Sequence, residues 1–475
     1  MIFAEDKTKS SCSTVSYIPR SLDLSILTVK QPKPLPQLKT TSSEEEEYII
    51  KNNYVARTLL HEPELPPLTW SNWYKQVDWP KTIVLGSEPF IAFYGICTTP
   101  FVWQTLVFTF IWGWLTGLSI TAGYHRLFAH RSYQGILPLR YILLLLGAGS
   151  VQGSALWWVR GHRAHHRYTD TDLDPYSAQK GLFYSHIGWL LMKPRRKSGI
   201  VDMSDLVNDP SVQWQYRNLA ILNVTMGFVF PWLVCGLGWG DYRGGYFYAA
   251  VLRLLIVHHV TFCVNSLAHY LGDTTFDDKH TPRDHFITAF ITLGEGYHNF
   301  HHEFPCDYRN ALKWFQYDPT KWTIWLFEKL GLAYNLKRFP DNEIRKGEYA
   351  MKRKALDKFG KIIIWPKDEE ELPVISFEEY QDLASKDTGR VLILIAGFVH
   401  DVSNFIDSHP GGRDLLKDHV GKDATVPFHG GIHEHSTAAH NTLAMMRVAI
   451  CKHGGEVEHL KKQFGHFHTP TPISA

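Results

Sequence analysis

The stretch WWVRGHRAHH (residues 157–166) places three histidines directly after an apolar run that covers residues 141–159. This run is uncharged and nearly long enough to cross a bilayer, for which a helix needs roughly 20 mostly apolar residues. If the run crosses, the histidines on its two sides lie on opposite faces of a membrane. The placement of this one run therefore decides the fold of the chain.

Charge indicates that the run does not cross. Residues 124–215 carry eleven Lys and Arg, whereas the two short turns between the other apolar runs hold only Arg243. Cytosolic loops of membrane proteins carry an excess of Lys and Arg. We therefore expect residues 124–215 to lie on the cytosolic side along their whole length. The apolar run then lies in the membrane interface, or dips into the membrane and returns.

The remaining apolar runs predict four membrane spans. The chain has 475 residues, of which 44% are hydrophobic, so part of it is membrane and part aqueous. The sequence predicts an all-α multi-pass membrane domain of four transmembrane helices with a cytosolic helical cap, covering residues 67–339, with both termini in the cytosol. The spans are expected at about residues 83–98, 101–123, 219–240 and 246–269.

Composition limits the other classes of function. The net charge of +2 gives no case for nucleic-acid binding, and no such partner is expected. Residues 1–66 contain SSEEEE at 42–47 and many prolines, so we expect a disordered cytosolic leader and no signal peptide. Cysteines are scattered without a CxxC pair, which fits a reducing compartment; they are Cys12, Cys97, Cys235, Cys263, Cys306 and Cys451.

Histidine spacing indicates a metal site. In a helix, residues i, i+3 and i+4 share one face, so each HxxHH box directs three imidazoles to a common point. Neutral imidazole binds iron, copper, zinc and nickel. One box alone is equally compatible with ordinary surface or core histidines, but two boxes and one HxxxxH on the same predicted side indicate a shared site. The nine histidines are His125, His130, His162, His165, His166, His269, His298, His301 and His302.

Nine imidazoles exceed what one ion accepts, so the sequence predicts two ions. A structural zinc site is four-coordinate and usually contains cysteine, which these boxes lack. A metal transporter is a further alternative, but transport sites lie near the bilayer midplane rather than at helix ends. Redox iron beside a lipid pocket, suited to oxygen activation, is the favoured interpretation.

Four stretches carry a specific resemblance: GYHRLFAHRSY, WWVRGHRAHHRYTDTDLDPY, NSLAHYLG and EGYHNFHHEFPCDYRNA. They resemble the histidine boxes of membrane acyl-CoA delta-9 desaturases, and the likeness is greatest to the fungal branch. The resemblance implies a di-iron centre held by the nine histidines, with Asn265 contributing through a water. Asp174 and Glu295 are expected to orient ligand imidazoles, unless both are simply solvated. His258 and His259 match no ligand position and are expected to be packing or polar residues of the fourth span.

The same resemblance implies a substrate path. An acyl tunnel that bends beside the metals would be lined by Gln152, Trp158 and Thr261, and Arg160 with Lys193 would contact the phosphates of coenzyme A. Trp158 is alternatively an ordinary interfacial anchor. Arg160 and Lys193 are alternatively contacts to anionic lipid headgroups.

A second domain is expected after a charged linker, helical in part, at residues 340–372. The stretch GRVLILIAGFVHDVSNFIDSHPGGRDLLKDHVGKDATVPF and the later HSTAA resemble cytochrome b5. This implies a small α+β domain at residues 373–453, followed by a tail at 454–475, with haem b held by His409 and His435. His433 is the alternative second ligand. Two axial histidines leave no open position for oxygen and suit electron transfer. A haem-free interaction domain is the other possibility.

Together, these features predict an endoplasmic-reticulum membrane enzyme that desaturates saturated acyl-CoA with O2. Electrons are expected from an NADH-cytochrome b5 reductase through the chain's own haem domain, whose tether raises the local donor concentration. A di-iron fatty-acid hydroxylase is the main alternative. A front-end desaturase acting on lipid-linked chains would typically carry its haem domain before the membrane domain.

Overall fold

The computed structural model describes residues 65–386, 389–430 and 434–454. Almost all of the predicted leader and tail, and His433, lie outside these residues. The chain divides into two compact units. The first consists of the residues up to Thr274 together with Lys279–Phe339, and the second of Thr275–Asp278 together with the residues from Pro340 onward.

Three helices of the described residues are long and apolar enough to cross a membrane, and they mark the chain as a membrane protein. They are Trp103–Ala129, Leu219–Trp239 and Tyr242–Tyr270, close to the second, third and fourth predicted spans. The first predicted span forms the helix Trp79–Thr98, but this helix is not among the three, so four spans are not confirmed. Glu88 and Pro89 at its centre and Lys81 near its start lower its mean hydropathy.

The apolar run at residues 141–159 is divided between two helices, Leu137–Ala148 and Ala155–Tyr168. Leu137–Ala148 has 12 residues. At 1.5 Å per residue it rises about 18 Å, well short of the hydrocarbon thickness of about 30 Å. The run therefore does not form one crossing helix, as the charge pattern predicts.

Polar side chains of the helix Tyr242–Tyr270, here called the fourth apolar helix because it matches the fourth predicted span, contact the turn between these two helices. Arg253 donates hydrogen bonds to the carbonyls of Gly149 at 2.6 Å and Gly227 at 2.8 Å. His258 Nε2 lies 2.9 Å from the carbonyl of Ser150, and Val151 has a positive φ of 52°. Buried backbone carbonyls need such partners where lipid surrounds a protein. The turn is therefore held by a distant helix as well as by its own backbone hydrogen bonds, such as that from the Val151 N–H to the carbonyl of Ala148 at 3.0 Å.

The core of the first unit lies where Leu137–Ala148 and Ala155–Tyr168 pack on the segment Ser119–Ala129, through Tyr124, Leu144 and Val159 among others. That segment is π-helical. A two-residue antiparallel pair joins β1 (Gln134–Gly135) to β2 (Ala333–Tyr334). The longer segments within the three long apolar helices are Trp103–Leu118, Ser119–Ala129, Leu219–Val224, Phe230–Trp239, Gly245–Leu252 and Arg253–Asn265. The remaining helices of six or more residues in this unit, beyond those already named, are Pro210–Arg217, Phe286–Ile291, His298–Glu303 and Pro319–Lys329.

The second unit begins with the long helix Asp341–Gly360 and continues as a small α+β fold. Its sheet has the order β3-β6-β5-β4, in which β3 runs parallel to β6 and the other pairs are antiparallel. The strands are β3 (Val374–Ile375), β4 (Leu392–Ile395), β5 (Phe398–Asp401) and β6 (Arg447–Cys451). The helices are Phe377–Ser385, Arg413–Lys417, Thr425–His429 and Thr437–Met445.

Candidate functional site

A π-helical turn brings His125 and His130 together. The backbone N–H of His130 donates to the carbonyl of His125 at 3.0 Å, so one turn closes over five residues instead of four. The two ring centroids are 4.8 Å apart. In an α-helix, residues five apart point in different directions, so the HxxxxH spacing depends on this π-helix.

The other histidines come from helices that end near the same place. His162, His165 and His166 lie on Ala155–Tyr168, whose first turn is capped by Ser154 Oγ accepting from the Trp157 N–H. His298, His301 and His302 lie on the single-turn helix His298–Glu303. His269 lies at the end of the fourth apolar helix. All four motifs thus contribute to one region.

The nine histidines form two groups, and within each group the ligand nitrogens lie within 4.8 Å of one another. Nε2 of His125 is 2.9 Å from Nε2 of His301, and Nε2 of His165 is 3.2 Å from Nε2 of His302. The first group is His125, His130, His162, His166 and His301; the second is His165, His269, His298 and His302.

This donor set fits metal ions. Nδ1 of His125 lies 3.0 Å from Glu295, and Nδ1 of His165 lies 2.9 Å from Asp174. A carboxylate accepts the Nδ1 proton, so the lone pair of each imidazole is on Nε2, which faces other Nε2 atoms. One proton can be shared by only two nitrogens in a hydrogen bond, whereas each group brings together at least four ligand nitrogens. A metal cation at the centre of each group could accept the lone pairs of all its ligand nitrogens.

Burial keeps the imidazoles of four of these histidines neutral. Burial, followed by repulsion from neighbouring imidazoles, lowers the pKa of His298 to about 3. The same two causes lower the pKa of His162, His301 and His302 well below the ordinary value. Neutral imidazole is the form that binds a metal. These four imidazoles are therefore in their ligand form at neutral pH.

Glu295 belongs to a buried charge network behind the first group. Its Oε1 accepts from Arg126 at 2.9 Å, and Arg126 also donates to Asp318 at 2.9 Å. Burial acts to raise the pKa of Glu295, but His125 and Arg126 outweigh it and hold that pKa well below its usual range. Glu295 and Asp174 contact imidazoles of the two predicted ligand groups, as expected, and their burial excludes that they are simply solvated.

Sequence reasoning missed a third such contact. Nδ1 of His269 lies 2.7 Å from Thr281 Oγ1, which lies 2.7 Å from Oδ1 of Asp170. Asp170 adopts a positive φ of 65° and also accepts from the Thr281 N–H. No local pattern marks these residues, because Thr281 and Asp170 are 111 positions apart. The one available signal is that Asp170 lies within the TDTDLD stretch after the HxxHH box.

Asn265 is the last residue of the helix Arg253–Asn265, four positions before His269, and is half-buried. Its placement is compatible with the predicted water-mediated role, which stays a prediction. His258 and His259 belong to neither histidine group: His258 contacts Glu88 at 3.0 Å, and His259 contacts His186 at 2.9 Å.

Of the predicted tunnel residues, Trp158 contacts the first histidine group, and Gln152 and Thr261 bond to each other. Gln152 Nε2 donates to Thr261 Oγ1 at 2.9 Å, which joins the turn after Leu137–Ala148 to the fourth apolar helix. Trp158 stacks on His162 with centroids 4.9 Å apart. The predicted coenzyme A contacts, Arg160 and Lys193, are both exposed. Lys193 Nζ donates to the carbonyl of Lys75 at 3.0 Å.

The second unit orients two histidines in the same way. Nδ1 of His409 lies 3.0 Å from the carbonyl of Gly412, and Nδ1 of His435 lies 2.8 Å from the carbonyl of Phe428. A carbonyl only accepts, so Nδ1 carries the proton in each ring and Nε2 carries the lone pair. Phe428 also packs against an apolar cluster that contains Ile393 and Ile395. These donors and this lining fit a haem held by two imidazoles.

Comparison with known proteins agrees with this division. The family model described as Fatty acid desaturase matches residues 101–337, and the one described as Cytochrome b5-like Heme/Steroid binding domain matches residues 376–452. The chain belongs to the fatty acid desaturase family. The desaturase family implies iron, and the cytochrome b5-like domain implies haem.

Individual relatives make the match more specific. The chain is 51% identical over 401 residues to a probable acyl-CoA desaturase of Schizosaccharomyces pombe, covering 84% of this chain and 82% of that protein. It is 46% identical over 400 residues to acyl-CoA desaturase 1 of Saccharomyces cerevisiae, covering 84% and 78%. It is 38% identical over 273 residues to stearoyl-CoA desaturase 5 of Bos taurus, covering 56% and 81%. The resemblance to acyl-CoA desaturases of the fungal branch is confirmed.

Proposed function

We propose that the protein is an acyl-CoA delta-9 desaturase that introduces a cis double bond into saturated chains such as stearoyl-CoA and palmitoyl-CoA. The observation that carries this proposal is the convergence of nine histidines into two groups in a chain that also holds a cytochrome b5-like unit. Relatives named acyl-CoA desaturases support the reaction class. O2, with electrons and protons delivered to the site, takes up the two hydrogens that the acyl chain loses and leaves as water.

Each histidine group would hold one iron of a di-iron centre, with Asn265 joining the second group through a water. The irons, when bound, supply the oxygen activation that breaking an unactivated C–H bond requires. The protein orients their ligands: Glu295 fixes His125, Asp174 fixes His165, and Thr281 fixes His269. Such contacts typically change metal affinity or activity by about 10–100-fold when removed.

Gln152, Trp158 and Thr261 would line the bend of the acyl tunnel. The stacking of Trp158 on His162 supports this role because it places Trp158 against the first histidine group, and the Gln152–Thr261 hydrogen bond supports it by joining two of the three residues. Holding one pair of methylenes near the metals lets placement decide which bond is oxidised. Arg160 and Lys193, both exposed cations, would bind the phosphates of coenzyme A or, alternatively, lipid headgroups.

Electrons would enter through the second unit. His409 and His435 would bind haem b from its two sides, and an NADH-cytochrome b5 reductase would reduce it. The enzyme would lie in the endoplasmic-reticulum membrane among its lipids, with four spans, both termini and the haem unit on the cytosolic side. Trp79–Thr98 would be the first of the four spans. Its Glu88 bonds to His258 of the fourth span. The membrane domain would cover residues 67–339, the linker 340–372 and the haem domain 373–453.

The test is expression of the full chain in cells that cannot make unsaturated fatty acids, followed by mass spectrometry of their lipids. We expect growth without added unsaturated fatty acid and a cis double bond at the delta-9 position. Hydroxylated acids would instead indicate a di-iron hydroxylase. A double bond at another position would refute the assigned regiochemistry, and unchanged saturated lipids would refute the reaction.

A further inference from the structure

Several large apolar side chains are exposed where the long helix of the second unit ends. Ile362, Ile364 and Trp365, just after Asp341–Gly360, are 75%, 82% and 66% exposed. Leu356 and Phe359, in the last turns of that helix, are 68% and 58% exposed. Contiguous apolar patches of this kind are uncommon on surfaces that face only water, and they mark sites of interaction.

The same residues carry a strong positive charge. Residues 352–367 contain six Lys and Arg and a single acidic residue, Asp357. Three of the cations are paired: Lys352 with Glu348, Lys354 with Asp278, and Arg353 with Asp357. Among the residues that the structure describes, the remaining three cations form no ion pair; they are Lys358, Lys361 and Lys367.

We propose that residues 352–367, here called the basic apolar segment, bind the surface of an anionic lipid bilayer. Phe359, Ile362 and Trp365 would enter the boundary between headgroups and acyl chains, as amphipathic basic segments do. Tryptophan favours this depth, and neighbouring lysines attract anionic headgroups. An acidic run, at residues 368–371, follows at once and marks where the segment leaves the surface, because the same headgroups repel it.

Two features favour lipid over a protein partner. Lysine is depleted at the centre of protein interfaces, yet here lysines flank the apolar side chains, at positions 358, 361 and 367. Their long stems can lie along apolar surface while the charged ends reach the headgroups. The chain also carries three helices apolar enough to cross a bilayer, so the segment is tethered to a membrane.

This binding goes beyond the proposed activity and does not depend on it. It would attach the start of the haem unit to the membrane surface. The haem unit would then diffuse close to the membrane surface, instead of through the whole volume that the linker allows, before it reaches the histidine site that accepts its electrons. A smaller accessible volume gives the haem unit a higher effective concentration at that site.

The test is photo-crosslinking of the full chain in lipid nanodiscs. A photoreactive benzoylphenylalanine replaces Ile364 in one sample and Val374 in the matched control, because Val374 is 62% exposed but lies beyond the acidic run. With phosphatidylserine in the disc, we expect lipid adducts at position 364 and few at 374. Equal adducts at both positions, or adducts to protein alone at 364, would overturn the proposal.

A charge test uses two triple variants. Lys358→Glu, Lys361→Glu and Lys367→Glu should lower the lipid adduct at 364 by about fivefold or more in phosphatidylserine discs. The control triple variant changes net charge equally through Lys417→Glu, Lys422→Glu and Lys452→Glu, and it should retain the adduct. Haem absorbance checks that both fold. Adduct yields that are the same in both variants would contradict the electrostatic part of the proposal and overturn it.

Discussion

Thr281 Oγ1 lies 2.7 Å from Nδ1 of His269 and 2.7 Å from a carboxylate oxygen of Asp170. The hydroxyl donates its one proton to the carboxylate and therefore accepts the proton on Nδ1. Nε2 of His269 is thereby the nitrogen with the lone pair. Among the described residues, this buried Nε2 has no hydrogen-bond partner.

Replacing Thr281→Val keeps the shape of the side chain and removes the hydroxyl. We expect iron affinity to fall by about 10–100-fold, because the His269 ring loses its orientation. Thr281→Ser retains the hydroxyl and should retain iron. The measurement is bound iron per chain after dialysis against graded concentrations of a chelator. Equal iron in the two variants would show that the hydroxyl has no part in metal binding.

His301→Ala removes an imidazole whose Nε2 lies 2.9 Å from His125 and 3.0 Å from His166. We expect loss of iron from the first group and loss of product, with the haem spectrum unchanged. The matched control is His259→Ala, which removes a histidine outside both groups and should leave bound iron unchanged. Iron analysis, haem absorbance and lipid analysis check these outcomes. Product formation by the His301 variant would contradict the assignment of the site.

His409→Ala should abolish the haem spectrum and, in cells without another cytochrome b5, the desaturation of acyl chains. His419→Ala is the control, because His419 also has Nδ1 bonded to a carbonyl, that of Leu415 at 2.8 Å, and is not a predicted ligand. Adding soluble cytochrome b5 should restore activity to the His409 variant. Full activity of that variant with no other donor present would refute the electron route.

Thr261→Val breaks the hydrogen bond from Gln152 while keeping the volume of the side chain. We expect the position of the double bond to spread over neighbouring carbons, because the wall of the tunnel bend loses a fixed contact. Thr261→Ser should give the wild-type pattern. Mass spectrometry of derivatised products locates the bond. An unchanged pattern in the valine variant would exclude this pair as a determinant of regiochemistry.

The stability of the haem unit should depend on pH through His400 in β5. Burial lowers the pKa of His400 to about 4. The unfolded chain, with a histidine pKa near 6.5, therefore binds more protons than the folded unit as pH falls, so stability is lost between about pH 6.5 and pH 4. The shift corresponds to about 3 kcal/mol. The measurement is thermal loss of haem absorbance over this pH range.

His400→Gln removes the titrating group and should flatten this pH dependence. Nδ1 of His400 lies 2.8 Å from the carbonyl of Leu443, and the glutamine amide offers a donor in its place. His419→Ala again serves as the control, with its pH dependence retained. Identical pH profiles for the glutamine variant and the wild type would assign the effect to other groups.

Local patterns predicted much of the histidine arrangement. The spacing of HxxHH follows the period of an α-helix, so both boxes could be assigned from sequence, and the distribution of Lys and Arg correctly indicated that residues 141–159 do not form one crossing helix. The HxxxxH motif was included without a geometric reason. Its reason is the π-helix Ser119–Ala129, and hydropathy does not distinguish a π-turn from an α-turn.

Long-range contacts could not be predicted. Thr281 reaches His269 and Asp170 only because the tertiary fold brings separate segments together, and no periodicity marks it. Lys193 was predicted to contact coenzyme A, and no pattern indicated its bond to the Lys75 carbonyl. The linker was interpreted as charged and helical in part, and the helix Asp341–Gly360 lies within it. The sequence alone did not show that its isoleucines are exposed to solvent.

The anchoring of the turn after Leu137–Ala148 has a consequence for biosynthesis. The carbonyls of Gly149 and Ser150 leave the ribosome well before Arg253 and His258, the residues that bond to them. Until the last apolar helix is synthesised, these carbonyls need water, a lipid headgroup or the translocation machinery as a substitute. Final insertion of the early hairpin is thus coupled to completion of the last span, and truncation before that span leaves a hairpin for cellular quality control to remove.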